Sequence, residues 1–174
     1  MFRTGVSLIA LTVFLAAGAV QAETVTVTSP NGRVAIAVDQ GAGGLSYSVS
    51  IDGKAVITPS PLNLNLDIAY VGGSGAKVLG HTETSSNTTW KPVVGKAAVV
   101  ADHYNQSDIA FQNTDPKGFK YDLIVRAYDN GVAFRYAVPE QAGVENFHVK
   151  SEGTQFFFAA DYDCWGANMG SAYT

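Results

Sequence analysis

With 174 residues, 11 Lys and Arg against 15 Asp and Glu, and a net charge of −4 at pH 7, the sequence has room for one substantial core, and its acidic balance repels phosphate-rich partners. No cluster of Lys or Arg could neutralise a phosphate backbone, which excludes nucleic acid as a partner. The single cysteine, Cys164, has no partner for an intrachain disulfide, so stability must come from packing.

Residues 1–22 carry a positive charge at Arg3, then an apolar run over 6–20, then the small-residue ending Val20-Gln21-Ala22. That order is a secretory signal peptide, with cleavage expected after Ala22. The run is shorter than the ~20 residues a helix needs to cross a bilayer, and no cysteine at the cleavage point offers a lipid attachment. Residues 23–174 are therefore expected to be exported, periplasmic or extracellular, with no membrane association after cleavage.

Strict alternation of apolar and polar residues then begins. Thr24-Val25-Thr26-Val27-Thr28, the set Val34, Ile36 and Val38, Leu45-Ser46-Tyr47-Ser48-Val49-Ser50-Ile51, and Leu62-Asn63-Leu64-Asn65-Leu66 each read as a strand with one buried face. Tyr121, Leu123 and Val125, and then Val132, Phe134, Tyr136 and Val138, continue the same period. Between them stand Pro30-Asn31-Gly32, Asp52-Gly53, Gly72-Gly73, Asp115-Pro116-Lys117-Gly118 and Asp129-Asn130-Gly131, turn sequences in which Asn or Gly takes positive φ cheaply. No window beyond the leader has helical spacing over three turns. Many short strands separated by turns predict an all-β, antiparallel β-sandwich. Thr154-Gln155-Phe156-Phe157-Phe158 reads as a last apolar strand, and the chain stops at Thr174 with neither a capping element nor a charged tail. The expectation is a sandwich domain incomplete at its C-terminus.

Residue types that carry chemistry are sparse. His81, His103 and His148 match no metal-ligand spacing, and no G-x-S-x-G, H-E-x-x-H or phosphate-binding glycine loop occurs. Asp161 and Asp163 stand two apart on a predicted strand. Both carboxylates would then share a face, able to hold a cation or to divide acid and base roles, although a solvated strand end is the plainer reading. An exposed indole offers a flat apolar face for a sugar ring, which makes Trp90 and Trp165 the substrate-binding candidates; a core role is the commoner one for each. Trp90 follows the polar stretch Ser85-Ser86-Asn87-Thr88-Thr89 and is expected on a loop, whereas Trp165 follows an apolar strand. No catalytic or metal-ligating residue is assigned.

Several segments in order resemble the N-terminal domain of glycoside hydrolase family 97, bacterial α-glucosidases and α-galactosidases. They are Ser29-Pro30-Asn31-Gly32-Arg33, Leu45-Ser46-Tyr47-Ser48-Val49 with Asp52-Gly53-Lys54 and Val56-Ile57, and Pro59-Ser60-Pro61-Leu62. Further on come Trp90-Lys91-Pro92-Val93 with Gly95, then His103-Tyr104-Asn105, and finally the run from Arg126-Ala127-Tyr128-Asp129-Asn130-Gly131 to Val132-Ala133-Phe134-Arg135-Tyr136. The last run is the most specific, and by itself reads as a hairpin in which Arg126 and Arg135 could meet Asp122 or Asp129.

The resemblance implies a supersandwich of the galactose mutarotase-like kind, packed in the parent enzyme against a (β/α)₈ barrel that carries the catalytic carboxylates and acts on an oligosaccharide. It also implies a calcium ion beside the active site of the full-length enzyme. The barrel is missing from these 174 residues, and no catalytic residue carries over. One departure is Asn63, where the family commonly has glycine, so backbone packing there is expected to differ. The competing readings are a free-standing carbohydrate-binding module, a structural or adhesive sandwich, and a mutarotase-like enzyme, whose histidine and carboxylate constellation is not evident.

Overall fold

The computed structural model describes residues 23–163, which form twelve β-strands and no helix. One sheet contains β1 (Glu23–Thr28), β2 (Val34–Gly41), β3 (Gly44–Ile51), β4 (Lys54–Pro61) and β12 (Phe157–Phe158), in that spatial order. A second contains β7 (Ala76–Trp90), β8 (Val100–Asn113), β9 (Lys120–Tyr128) and β10 (Gly131–Ala137), ordered β10-β9-β8-β7. A small third sheet, ordered β11-β5-β6, joins β5 (Leu64–Leu66), β6 (Tyr70–Val71) and β11 (Val149–Glu152). Every pairing is antiparallel, and the sheets stay open, so the fold is a sandwich and not a barrel.

The two-residue period decides what is inside. Val34, Ile36 and Val38 of β2 and Leu45, Tyr47 and Val49 of β3 are buried against Ile109 and Phe111 of β8 and Tyr121, Leu123, Val125 and Ala127 of β9. β1 and β2 lie across β8, β9 and β10, and Phe111 stacks on Tyr121 with ring centroids 5.1 Å apart. Each large side chain sealed in this layer contributes roughly 1.5–3 kcal/mol by leaving water.

The β3–β4 turn is as expected: Asp52 and Gly53 have φ of 50° and 76°, and the Arg33 guanidinium meets the Asp52 carboxylate at 2.8 Å. The β9–β10 turn differs. Asp129, Asn130 and Gly131 all keep negative φ, and the Asp129 carboxylate is instead drawn into contacts across the molecule. Gly72, with φ of 82°, donates its N–H to the buried Tyr121 hydroxyl and accepts from Leu45 N, tying the third sheet to both others. Burial pushes the Tyr121 phenol up to about 12.

Four local expectations are corrected. Trp90 is not on a loop but ends the fifteen-residue strand β7, because a Ser- and Thr-rich run can pair with β8 as an exposed ribbon whose polarity reports solvent and not irregularity. The strand expected over Leu62–Leu66 divides: β4 ends at Pro61, Leu62 is buried, and β5 starts at Leu64. Of Thr154–Phe158 only Phe157 and Phe158 pair, with β4. Asp161 and Asp163 lie outside any strand, so the shared-face argument lapses. Asn63 has a partner of its own: its side chain donates to Gly153 O, where a Cβ on residue 153 would collide with it. The glycine of that close approach thus sits on the facing segment.

Candidate functional site

Position along the sheet determines which residues converge. On β8 the inward-facing positions run Phe111, Ile109, Ser107, Asn105 and His103, and the two-residue period persists while the chemistry turns from apolar to polar. Across the ladder Glu83 stands opposite Ser107, and Ser85 opposite Asn105. The change coincides with the edge of the first sheet, where the β7–β8 ribbon runs out past β1.

Among the described residues β1 is an edge strand. Ser29 N donates to Val34 O, so alternate residues face β2 and the main-chain groups of Thr24, Thr26 and Thr28 face outward. Asn105 Nδ2 donates to one of these, Thr28 O, at 2.7 Å. A cleft of about 450 Å³ opens between this edge and the ribbon, lined by Thr26, Val27 and Thr28 on one side and by Glu83, Thr84, Ser85, Asn105 and Gln106 on the other.

A polar knot closes one end. Asn31 N donates to Asp129 Oδ1 at 2.9 Å, and the other Asp129 oxygen meets His103 Nδ1 at 3.2 Å. The segments Ser29–Arg33, His103–Asn105 and Arg126–Tyr136, far apart in sequence, therefore meet at one corner of the sandwich. On the outer face the Arg126 guanidinium lies 4.1 Å from the Tyr104 ring centroid and bonds Gln106 Oε1 and the Tyr128 hydroxyl. The expected pairing of Arg126 with Asp122 or Asp129 is not made. Asp122 has Asp108 as its acidic neighbour, and burial followed by that neighbour pushes its carboxyl up.

Of the tryptophan candidates, Trp90 is 54% exposed and pairs with Val100 at the far end of the ribbon, beside the exposed Val93, Val94 and Val99. Trp165 lies outside the described residues, as do Cys164 and residues 1–22. His148 is held by Asp67, and His81 faces solvent. The structure brings neither Trp90 nor the Asp161 and Asp163 pair to the cleft. Glu83 and Ser85 were missed from sequence; their signal was the persistence of period two beyond the apolar residues of β7 and β8.

Residues 27–174 match the family described as glycosyl-hydrolase 97 N-terminal. The chain is 27% identical over 136 residues to a retaining α-galactosidase of Bacteroides thetaiotaomicron, covering 78% of this chain and 19% of that protein. It is 29% identical over 164 residues to a probable retaining α-galactosidase of Streptomyces bingchenggensis, covering 91% of this chain and 25% of the relative. Among solved structures, a glycoside hydrolase family 97 enzyme from Pseudoalteromonas sp. strain K8 in complex with panose superposes with a TM-score of 0.71 at 32% identity, over 78% of this chain and 20% of that one. The chain thus spans a quarter or less of the length of these relatives.

Proposed function

The chain belongs to the glycosyl-hydrolase 97 N-terminal family, and from that membership we propose that it serves as the non-catalytic, carbohydrate-associated sandwich domain of an exported glycosidase acting on terminal α-linked galactose or glucose. The observation that carries this reading is a family match over residues 27–174 in a chain that spans only 19–25% of its α-galactosidase relatives. In this reading, hydrolysis by paired carboxylates belongs to a (β/α)₈ region of the same polypeptide, and the sandwich packs against it. The leader-like residues 1–22 support export to the periplasm or beyond.

The calcium ion implied for the full-length enzyme is read as belonging with the rest of the polypeptide; among the described residues no three His, Cys, Asp or Glu side chains group together. No ligand for it is assigned to this chain. Trp90, with its indole exposed, is the stacking surface this reading offers to an oligosaccharide.

The test is a turnover assay of the purified 174-residue chain on p-nitrophenyl α-galactopyranoside and α-glucopyranoside. Release of nitrophenol no faster than in buffer is expected. Turnover that survives repurification would overturn the non-catalytic assignment.

A further inference from the structure

We propose that the cleft between the free edge of β1 and the β7–β8 ribbon is a binding site for a neutral sugar, with Glu83 as its principal acceptor. The inference rests on the carbohydrate-associated reading and gives it a location.

Three properties of the cleft select the ligand. Its floor is polar where the same strands are apolar a few residues earlier, with the exposed Glu83 and Ser85 and the half-buried Asn105 lying beyond the buried Ile109 and Phe111. A further strand laid over that floor would bury the Glu83 carboxylate without a partner, which is strongly unfavourable, so the floor suits a hydrated, hydroxyl-rich molecule better than a packing element. Among the described residues no Lys, Arg or His lines the cleft, and the one charged side chain there is an acid, which disfavours anions.

The remaining groups complement a sugar. Among the described residues, Thr26, Thr28, Glu83, Thr84 and Ser85 have no side-chain hydrogen bond from another residue. Asn105, with its Nδ2 fixed on Thr28 O, keeps Oδ1 as an acceptor. A carboxylate accepts two adjacent hydroxyls at once, and the outward amide and carbonyl of Thr26 add a donor and an acceptor on the facing wall. With no aromatic ring in the lining, affinity rests on hydrogen bonds made in competition with water, and a Kd on the order of 1–10 mM is expected.

The experiment is amide chemical-shift titration of the 174-residue chain with maltose and with melibiose, repeated on the E83A and W90A variants. Both replaced side chains are exposed, and an unchanged starting spectrum verifies that each variant is folded. Saturable shifts at Glu83, Ser85 and Asn105, weakened about tenfold or more by E83A and untouched by W90A, are the expected result. Saturable shifts confined to the surroundings of Trp90 would overturn the cleft while leaving the carbohydrate reading standing. The absence of saturable shifts with either sugar would overturn the cleft as a sugar site. Turnover in the chromogenic assay bears on the non-catalytic assignment alone.

Discussion

Asp122 and Asp67 show how single carboxyls couple this fold to pH in opposite directions. Burial, with Asp108 beside it, raises the Asp122 carboxyl above its ordinary 3.8. The folded state holds that proton more tightly than the unfolded chain, so stability falls as pH rises through the window above 3.8, and the penalty is complete at neutral pH. Asp67 is lowered instead, first by the His148 backbone N–H and then by the His148 ring. Its contribution is present above 3.8 and is lost as pH falls through the lowered value. Asp122→Asn should therefore raise the thermal midpoint at pH 7 and lose that advantage at a pH below both Asp122 values. Thermal melts followed by circular dichroism check this, and a lower midpoint for the variant at pH 7 would contradict it.

At the level of elements, the turn that follows β6 does more than reverse the chain. A Cβ on Gly72 would stand 2.0 Å from Leu62 O, and its φ of 82° is strained for any other residue. Gly53 also has positive φ, but a Cβ there would meet open space. Gly53→Ala should cost about 1–2 kcal/mol from backbone strain alone, whereas Gly72→Ala adds a steric clash and should cost about 3 kcal/mol or more. Urea unfolding midpoints of the two variants separate the terms; equal losses would show that the turn relaxes without disturbing the sheets. The β7–β8 ribbon is the element least legible in sequence. Its far end, where Asn87–Trp90 pair with Val100–His103, has no third strand, and the run Glu83–Thr89 of β7 is polar throughout, so the alternation that marks a half-buried strand is not expressed there.

Across the molecule, exposed apolar side chains gather at the far end of the β7–β8 ribbon and at one edge of the first sheet. Phe156, Phe157, Phe158 and Tyr162 are all exposed there, β12 is the edge strand beyond β4 among the described residues, and the Phe156 ring meets Tyr47 edge-on. Such an edge is a template for further pairing. The 174-residue chain should bind anilinonaphthalene sulfonate and self-associate with rising concentration, and the double variant F157K/F158K should do both less. Dye fluorescence and sedimentation velocity measure this; a dye-silent monomer would refute it.

The sequence by itself determined the all-β class, the buried members of β2, β3 and β9, the inward set Val132, Phe134 and Tyr136 of β10, which is only partly buried, and the Asp52-Gly53 hairpin, because strand period and turn chemistry are properties of adjacent residues. It also marked the segments Ser29–Arg33, His103–Asn105 and Arg126–Tyr136 without indicating that they touch. Only the tertiary structure decided that Asn31 reaches Asp129 across 98 residues and that Asn105 reaches Thr28 across 77. The cleft beside them depends on where one sheet ends over another. That overhang is set by the packing of two faces, and no local pattern along the chain encodes it.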